Sequence, residues 1–261
     1  MTRDGWDPAR YERFAAERRQ PFRDLLALLE PVPGGRVVDL GCGTGEPTRE
    51  LHETTRPAET LGIDSSAKML EKARMFEGAG LRFEHGDIAE FSPDRPYDIV
   101  FSNAALHWVP DHERLLARLA AALAPGGQLA FQVPDMKRAV THVTADEIAG
   151  EEPFRGPLGG ESPNPRHVLE PEAYARILDR LGFTRQTVRL QIYGVRLASR
   201  EEAFDWVEGS LLSAYRARLT PELYEEFLER YRERLLPRLP EERPLFFPYR
   251  RTLAWARRTD A

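Results

Sequence analysis

Cysteine is nearly missing from this chain: Cys42 is the only one in 261 residues. One thiol excludes an intramolecular disulfide framework and points to a reducing, cytoplasmic setting. Lysine is almost as scarce. Lys68, Lys72 and Lys137 are the only three, so arginine supplies the rest of the 37 basic side chains. Set against 42 acidic residues, these leave a formal net charge of −5, whereas binders of phosphate backbones present a basic surface. Nucleic acid is therefore not an expected partner. No apolar run of about 18 residues exists, so no membrane-spanning helix is expected and no membrane partner. The stretch Met1–Asp7 is polar and acidic and lacks the apolar segment of a secretory signal. Also missing are a Cys/His cluster with metal spacing, a GxSxG nucleophile turn, and a glycine-rich phosphate loop followed by lysine. No metal is expected.

What is present reads as alternating short strands and helices. Apolar segments at 36–40, 59–63, 81–85, 97–102 and 128–133 have the length of buried strands. Between them, 44–53, 67–76 and 111–123 carry helical periodicity, with Met69, Leu70 and Ala73 on an inward face. This alternation predicts an α/β fold of the doubly wound, Rossmann-like type, its mainly parallel sheet covered by helices on both faces. Residues 8–29 read as two helical pieces, stopped by Pro31-Val32-Pro33-Gly34-Gly35. After Pro134 the pattern changes. Residues 137–150 are expected to be helical, 151–169 a loop or lid, and 171–181 a helix. A strand follows at 184–192, then helices at 200–217 and 221–236, and a last strand at 246–257. The expected divisions are an N-terminal segment 1–30, a core 31–136, and a remainder 137–261. The last completes the sheet and forms a helical cap over the pocket from 137–170 and 200–240.

The most informative stretch is Val37-Val38-Asp39-Leu40-Gly41-Cys42-Gly43-Thr44-Gly45, where a strand hands over to a helix. Gly41 and Gly43 allow backbone that a side chain would obstruct, and Gly45 allows close packing as the helix begins. A flat ligand can then approach the main chain around Cys42, where open α/β sheets bind ligands. The glycines fall at every second residue, unlike the dinucleotide fingerprint that aims a helix at a pyrophosphate. A ligand without phosphate, such as S-adenosylmethionine, suits this shorter turn, with Asp39 receiving its ammonium. Asp64, followed by Ser65, ends the second strand, where a carboxylate can accept both ribose hydroxyls. Asp87 follows the third strand, its carboxylate facing an adenine amino group while the Ile88 N–H meets a ring nitrogen. Each aspartate alone can also be a helix cap or a turn former. Three in register at successive strand ends are harder to explain that way. Asn103, His107 and Trp108 follow the fourth strand, at the edge where cofactor and acceptor should meet.

Together, VVDLGCGTG, LGIDSS, HGDI, YDIVFSNAALHWVPD and LAPGGQLAFQVPD resemble the class I S-adenosylmethionine-dependent methyltransferases, over residues 34–134. Trp6, Tyr11, Phe14 and Arg18 in the N-terminal segment, with FSNAALHW, narrow the resemblance to those acting on small polycarboxylic acids such as trans-aconitate. It implies a seven-stranded sheet with an antiparallel last strand and an S-adenosyl-L-methionine cofactor leaving as S-adenosyl-L-homocysteine. It further implies that Arg18 pairs with the methionine carboxylate, that the N-terminal helix acts as a lid, and that Trp108 orients an acceptor carboxylate. The chain departs from the resemblance after Asp205-Trp206-Val207. An arginine-containing Gly-Leu-Arg-Pro stretch stands there in the family, where this chain has Leu211-Leu212-Ser213-Ala214. Arg250 and Arg251 can supply that charge, or be solvated surface.

The expected function is O-methylation of a small acid, a polycarboxylic one by the resemblance, and that acid is the expected partner. The sequence leaves the oligomeric state open. It also leaves open another small acceptor methylated at oxygen, nitrogen or carbon, for which His107 as a base would matter more. A non-catalytic module sensing the cofactor is the alternative from another class.

Overall fold

A computed structural model describes residues 15–160, 162–163, 167–208 and 211–258, with side chains from Arg19 onward. In chain order it contains α1 (Ala15–Leu26), β1 (Arg36–Leu40), α2 (Glu46–Thr55), β2 (Glu59–Asp64), α3 (Ala67–Ala73), β3 (Leu81–His85) and β4 (Tyr97–Asn103). Then follow α4 (His112–Ala121), β5 (Leu123–Pro134), α5 (Val140–Ala149), α6 (Pro171–Arg180), β6 (Arg185–Leu197), α7 (Arg200–Glu208), α8 (Pro221–Leu235) and β7 (Leu245–Arg257). The seven strands form one sheet in the order β3-β2-β1-β4-β5-β7-β6. β1 pairs in parallel with both β2 and β4, and β5 extends the parallel set. β7 runs antiparallel to β5, with Gln132 opposite Leu253 and Val133 opposite Thr252. The expected mainly parallel sheet with an antiparallel last strand is what forms.

The reversal of strand order falls between β1 and β4. Their carboxyl ends flank the crevice in which such sheets bind ligands. Val38, Leu40, Val100 and Phe131 are fully buried on these central strands and pack with Leu115, Leu116 and Leu119 of α4. Burying each such side chain contributes about 1.5–3 kcal/mol, so the strand ends stand on a rigid base.

The expected boundaries needed correction at several places. α2 starts at Glu46, two residues after its expected start, because Gly45 occupies its N-cap in the left-handed conformation. Met69 is only half-buried, while Leu70 and Ala73 face inward. β5 begins at Leu123; its pairing with β4 is interrupted and resumes at Gln128, with Gly126 at φ +69° in the interruption. β6 continues to Leu197, past the expected 192, and the ring of Phe246 lies over Gly194. The helix expected over 200–217 is divided into α7 and a short turn, Ser213–Arg216. Within the segment read as a loop, Arg155–Leu158 forms one helical turn, anchored by buried Phe154 and Leu158.

The chain forms two compact units. One joins residues 20–134, 167–191 and 251–261, and holds β1 to β5. The other joins 1–19, 135–166 and 192–250, and holds α5, α7 and α8. In the second unit the Tyr231 hydroxyl donates to the Thr141 carbonyl over 3.1 Å, and Arg234 holds both Glu151 oxygens at 2.6 and 3.1 Å. Among the described residues no helix is long and apolar enough to cross a membrane.

Candidate active site

The glycine turn after β1 is built from three left-handed residues with different surroundings. Gly41 has φ +83°, and a Cβ there would lie 2.2 Å from the Cβ of Ala105, so the β1 and β4 ends touch at this point. Gly45 has φ +80°, and its Cβ would lie 2.8 Å from the Cα of Ala73 and from the Phe83 ring. Gly43, at φ +56°, has nothing within 4 Å of that position. The glycine that faces open space is therefore the middle one. Cys42 between them is buried, and burial pushes its thiol well above the ordinary range, so it serves as a small apolar side chain.

Asp64 fixes this turn. Its Oδ2 accepts from the Gly43 N–H over 2.9 Å, and its Oδ1 accepts from the Ser66 N–H over 2.8 Å. Each carboxylate oxygen retains a second lone pair, so a ribose diol can still bind to a group already held in place. Ser65, the next residue, is exposed; Ser66 caps α3. Asp87 is also exposed. It caps the single turn Ile88–Glu90, its Oδ1 accepting from the Ala89 N–H over 2.8 Å, while Ile88 packs against the main core.

Asp39 is 2 % exposed. The Thr48 hydroxyl donates to its Oδ2 over 2.6 Å, and its Oδ1 has no hydrogen-bond partner among the described residues. Burial pushes its carboxyl up to about 7; the Thr48 hydrogen bond opposes that rise, and the neighbouring Asp64 charge adds to it. A buried oxygen left unpaired costs about 1–3 kcal/mol, more when charged, so Oδ1 can take a further donor, most strongly a cationic one. That is the chemistry of a methionine ammonium, and the residues present fit it.

Strand register places further groups on the same face. Asp39 lies opposite Phe101 and Phe101 opposite Ala130, so Asn103 and Gln132, each two residues further along, project to the Asp39 side. Phe22 of α1 packs edge-on against Phe101 on that face, with ring centroids 5.8 Å apart. Asn103 Oδ1 accepts from Gln132 Nε2 over 2.7 Å. Sequence reading had not singled out Gln132 or Thr48. Only the register and the strand-to-helix turn bring them to the site. The side chain of Arg18 lies outside the described residues, as do Trp6, Tyr11 and Phe14.

After β4 the chain enters a tight turn, Leu106–Trp108, flanked by two non-glycine residues in the left-handed region, Ala104 (φ +53°) and Asp111 (φ +52°). The Trp108 side chain is not part of the core: the residue is 41 % exposed, its ring 4.7 Å from that of half-buried His107. An indole N–H on an exposed turn at the switch point can orient an incoming carboxylate oxygen. Of the two arginines at β7, Arg250 is held by the Asp135 carboxylate at 2.8 Å, and Arg251 is half-buried. Leu211 and Leu212, where the resemblance had an arginine nearby, are buried. Among the described residues no cluster of three or more His, Cys, Asp or Glu can hold a metal.

Residues 37–127 match the family model described as a methyltransferase domain. A trans-aconitate 2-methyltransferase of Deinococcus radiodurans is 42% identical over 98% of this chain and 99% of its own length. One from Methylobacterium nodulans is 38% identical over 97% of this chain and 98% of its own. Among solved structures, the YcgJ protein of Bacillus subtilis shares the fold, with a TM-score of 0.59 at 14% identity, covering 93% of this chain and 100% of its own. An S-adenosylmethionine-dependent methyltransferase from Mesorhizobium loti superposes with a TM-score of 0.53 at 25% identity, covering 94% of this chain and 100% of its own.

Proposed function

Because the chain belongs to the trans-aconitate 2-methyltransferase family, we propose that it esterifies one carboxylate of trans-aconitate or a closely similar small polycarboxylic acid. It is an S-adenosyl-L-methionine-dependent methyltransferase. The single observation carrying the cofactor placement is the buried Asp39 Oδ1, without a hydrogen-bond partner among the described residues, beside the Asp64-locked glycine turn. When bound, the cofactor supplies an electrophilic methyl on a sulfonium. In this reading Asp39 holds the ammonium, Asp64 the ribose hydroxyls, and Asp87 with the Ile88 N–H the adenine. Arg18 pairs with the methionine carboxylate, and Asn103 lines the methionine side.

With the cofactor bound, an acceptor carboxylate oxygen would take its methyl group as an ester, and S-adenosyl-L-homocysteine would be the leaving group. A carboxylate is ionised at neutral pH, since carboxyl values lie near 4, so no strong base is needed. The protein's task is aim, which we assign to the Trp108 indole, with His107 secondary.

The test is transfer from methyl-labelled S-adenosylmethionine to trans-aconitate and to a panel of small acids by the purified chain. A base-labile labelled ester is the expected product. Trp108→Phe should lower turnover by about a hundredfold while leaving S-adenosylhomocysteine affinity nearly unchanged, and His107→Ala should matter less. An essential His107 with a dispensable Trp108 would replace the carboxylate with an acceptor that must be deprotonated.

A further inference from the structure

Trp108 can aim an acceptor, as proposed above, only if its turn is held in place. A buried pair lies behind that turn, His112 at the start of α4 and Tyr174 in α6. His112 is 3 % exposed and Tyr174 fully buried. His112 Nε2 lies 3.1 Å from the carbonyl oxygen of Leu106, the first residue of the turn. A carbonyl can only accept, so Nε2 carries the proton, and Nδ1 of the neutral ring is left as an acceptor. Tyr174 Oη sits 2.6 Å from that Nδ1 and donates to it. The Leu169 N–H donates in turn to Tyr174 Oη over 3.1 Å. The result is a directional chain running from Leu169 through Tyr174 and His112 to the Leu106 carbonyl.

That carbonyl also accepts from the Val109 N–H over 2.9 Å, so both its lone pairs are engaged from opposite sides of the turn. The turn needs such fixing. It is entered through left-handed Ala104 and left through left-handed Asp111, conformations that cost a non-glycine residue about 1–2 kcal/mol each. We propose that His112 and Tyr174 are positioning residues which hold the Leu106–Trp108 turn so that the Trp108 indole is aimed for methyl transfer. Burial pushes His112 down to about 4; the Leu106 carbonyl hydrogen bond opposes this most, His167 adds to the fall, and the Val109 carbonyl and Asp111 oppose it, so on balance the ring stays neutral and the direction of the chain is kept. The Tyr174 ring is separately anchored edge-on to Phe131 at 5.2 Å, so removing the hydroxyl alone leaves the packing in place.

The role rests on the acceptor reading for Trp108, and the experiment separates the two. Chain labelled with 5-fluorotryptophan gives a 19F resonance for each of the four tryptophans. Tyr174→Phe is expected to shift or broaden the Trp108 resonance and leave that of buried Trp255 in place. It is also expected to lower kcat about tenfold, with S-adenosylhomocysteine affinity unchanged. His112→Gln, whose amide can still donate to the Leu106 carbonyl, should recover most of the activity that His112→Ala loses. Tyr231→Phe, which removes a comparable buried bond in the other unit, controls for stability. An unmoved Trp108 resonance in Tyr174→Phe overturns the proposal, whatever the acceptor proves to be. A moved resonance with unchanged kcat overturns it too, by showing a clamp without consequence for the reaction. Failure of the acceptor reading would instead appear as no turnover of any acid by the parent chain, with the resonance response intact.

Discussion

At the scale of single residues, Asp39 is the most informative. Its carboxyl is held near 7 by burial, so an appreciable fraction is protonated at neutral pH before any ligand arrives. An ammonium placed on Oδ1 demands the ionised form and so displaces that proton. Cofactor binding and proton release are then linked. Affinity for S-adenosylhomocysteine should fall about tenfold from pH 8 to pH 6, as the carboxyl that must be ionised becomes protonated. Calorimetry across this range in Asp39→Asn should give a flat profile, since the amide has nothing to titrate there. A parent profile equally flat would mean that Asp39 does not meet the ammonium. The aspartates at the strand ends were legible because each stands in a short motif, Val38-Asp39-Leu40, Ile63-Asp64-Ser65 and Gly86-Asp87-Ile88. Thr48, Gln132 and Tyr174 were not. Their partners lie 9, 29 and 62 residues away, at distances set by register and helix docking and not by local pattern.

At the scale of elements, the glycine turn separates folding from ligand approach. Gly45→Ala would drive a methyl group into Ala73 and Phe83 at 2.8 Å and hold alanine at φ +80°. It should lower stability by several kcal/mol, through overpacking of about 1–3 kcal/mol added to the left-handed cost. Gly43→Ala pays only the left-handed cost of about 1–2 kcal/mol, because its Cβ meets open space. In the proposed site, that space is where the ligand approaches the main chain. Gly43→Ala should therefore lose cofactor affinity out of proportion to its small loss in denaturation midpoint, and Gly45→Ala the reverse. Equal effects of the two on binding and on unfolding would show that the middle glycine does not face the ligand. The parallel core elements were readable because each is a short apolar run with turn residues at both ends. The helical segment after 199 was not, because its apolar periodicity runs on to 217 in the sequence, while α7 spans Arg200–Glu208 and a separate turn spans Ser213–Arg216.

At the scale of the whole molecule, two buried groups set opposing slopes of stability against pH. His112 titrates near 4 in the folded chain against an ordinary 6.5, so the unfolded chain takes the proton first. Stability is lost as pH falls from about 6.5 to about 4, by on the order of 3 kcal/mol. Asp39 titrates near 7 against an ordinary 3.8, so here the folded chain takes the proton first. Its contribution is present below about 4 and is lost as pH rises to about 7, by on the order of 4 kcal/mol. Between about pH 4 and 6.5 the two largely cancel. Removing either should unmask the other. Urea unfolding of Asp39→Asn should show stability falling more steeply on acidification than in the parent chain, and His112→Gln should show it falling more steeply on the way to neutrality. Parallel profiles in all three would contradict the opposed titrations.

Neither compact unit is a continuous piece of chain. Each is assembled from three separate stretches, and the five divisions fall inside α1, at the end of β5, between 166 and 167, and inside both β6 and β7. The helical unit therefore cannot be inherited as a cassette. A single genetic crossover between two relatives would cut through a strand or exchange only part of that unit, and even a clean chimera would need three coordinated grafts. Exchanging that unit between relatives is thus far harder than substituting side chains on a retained frame. Libraries built to redirect the enzyme should vary side chains in place and leave the segment order untouched.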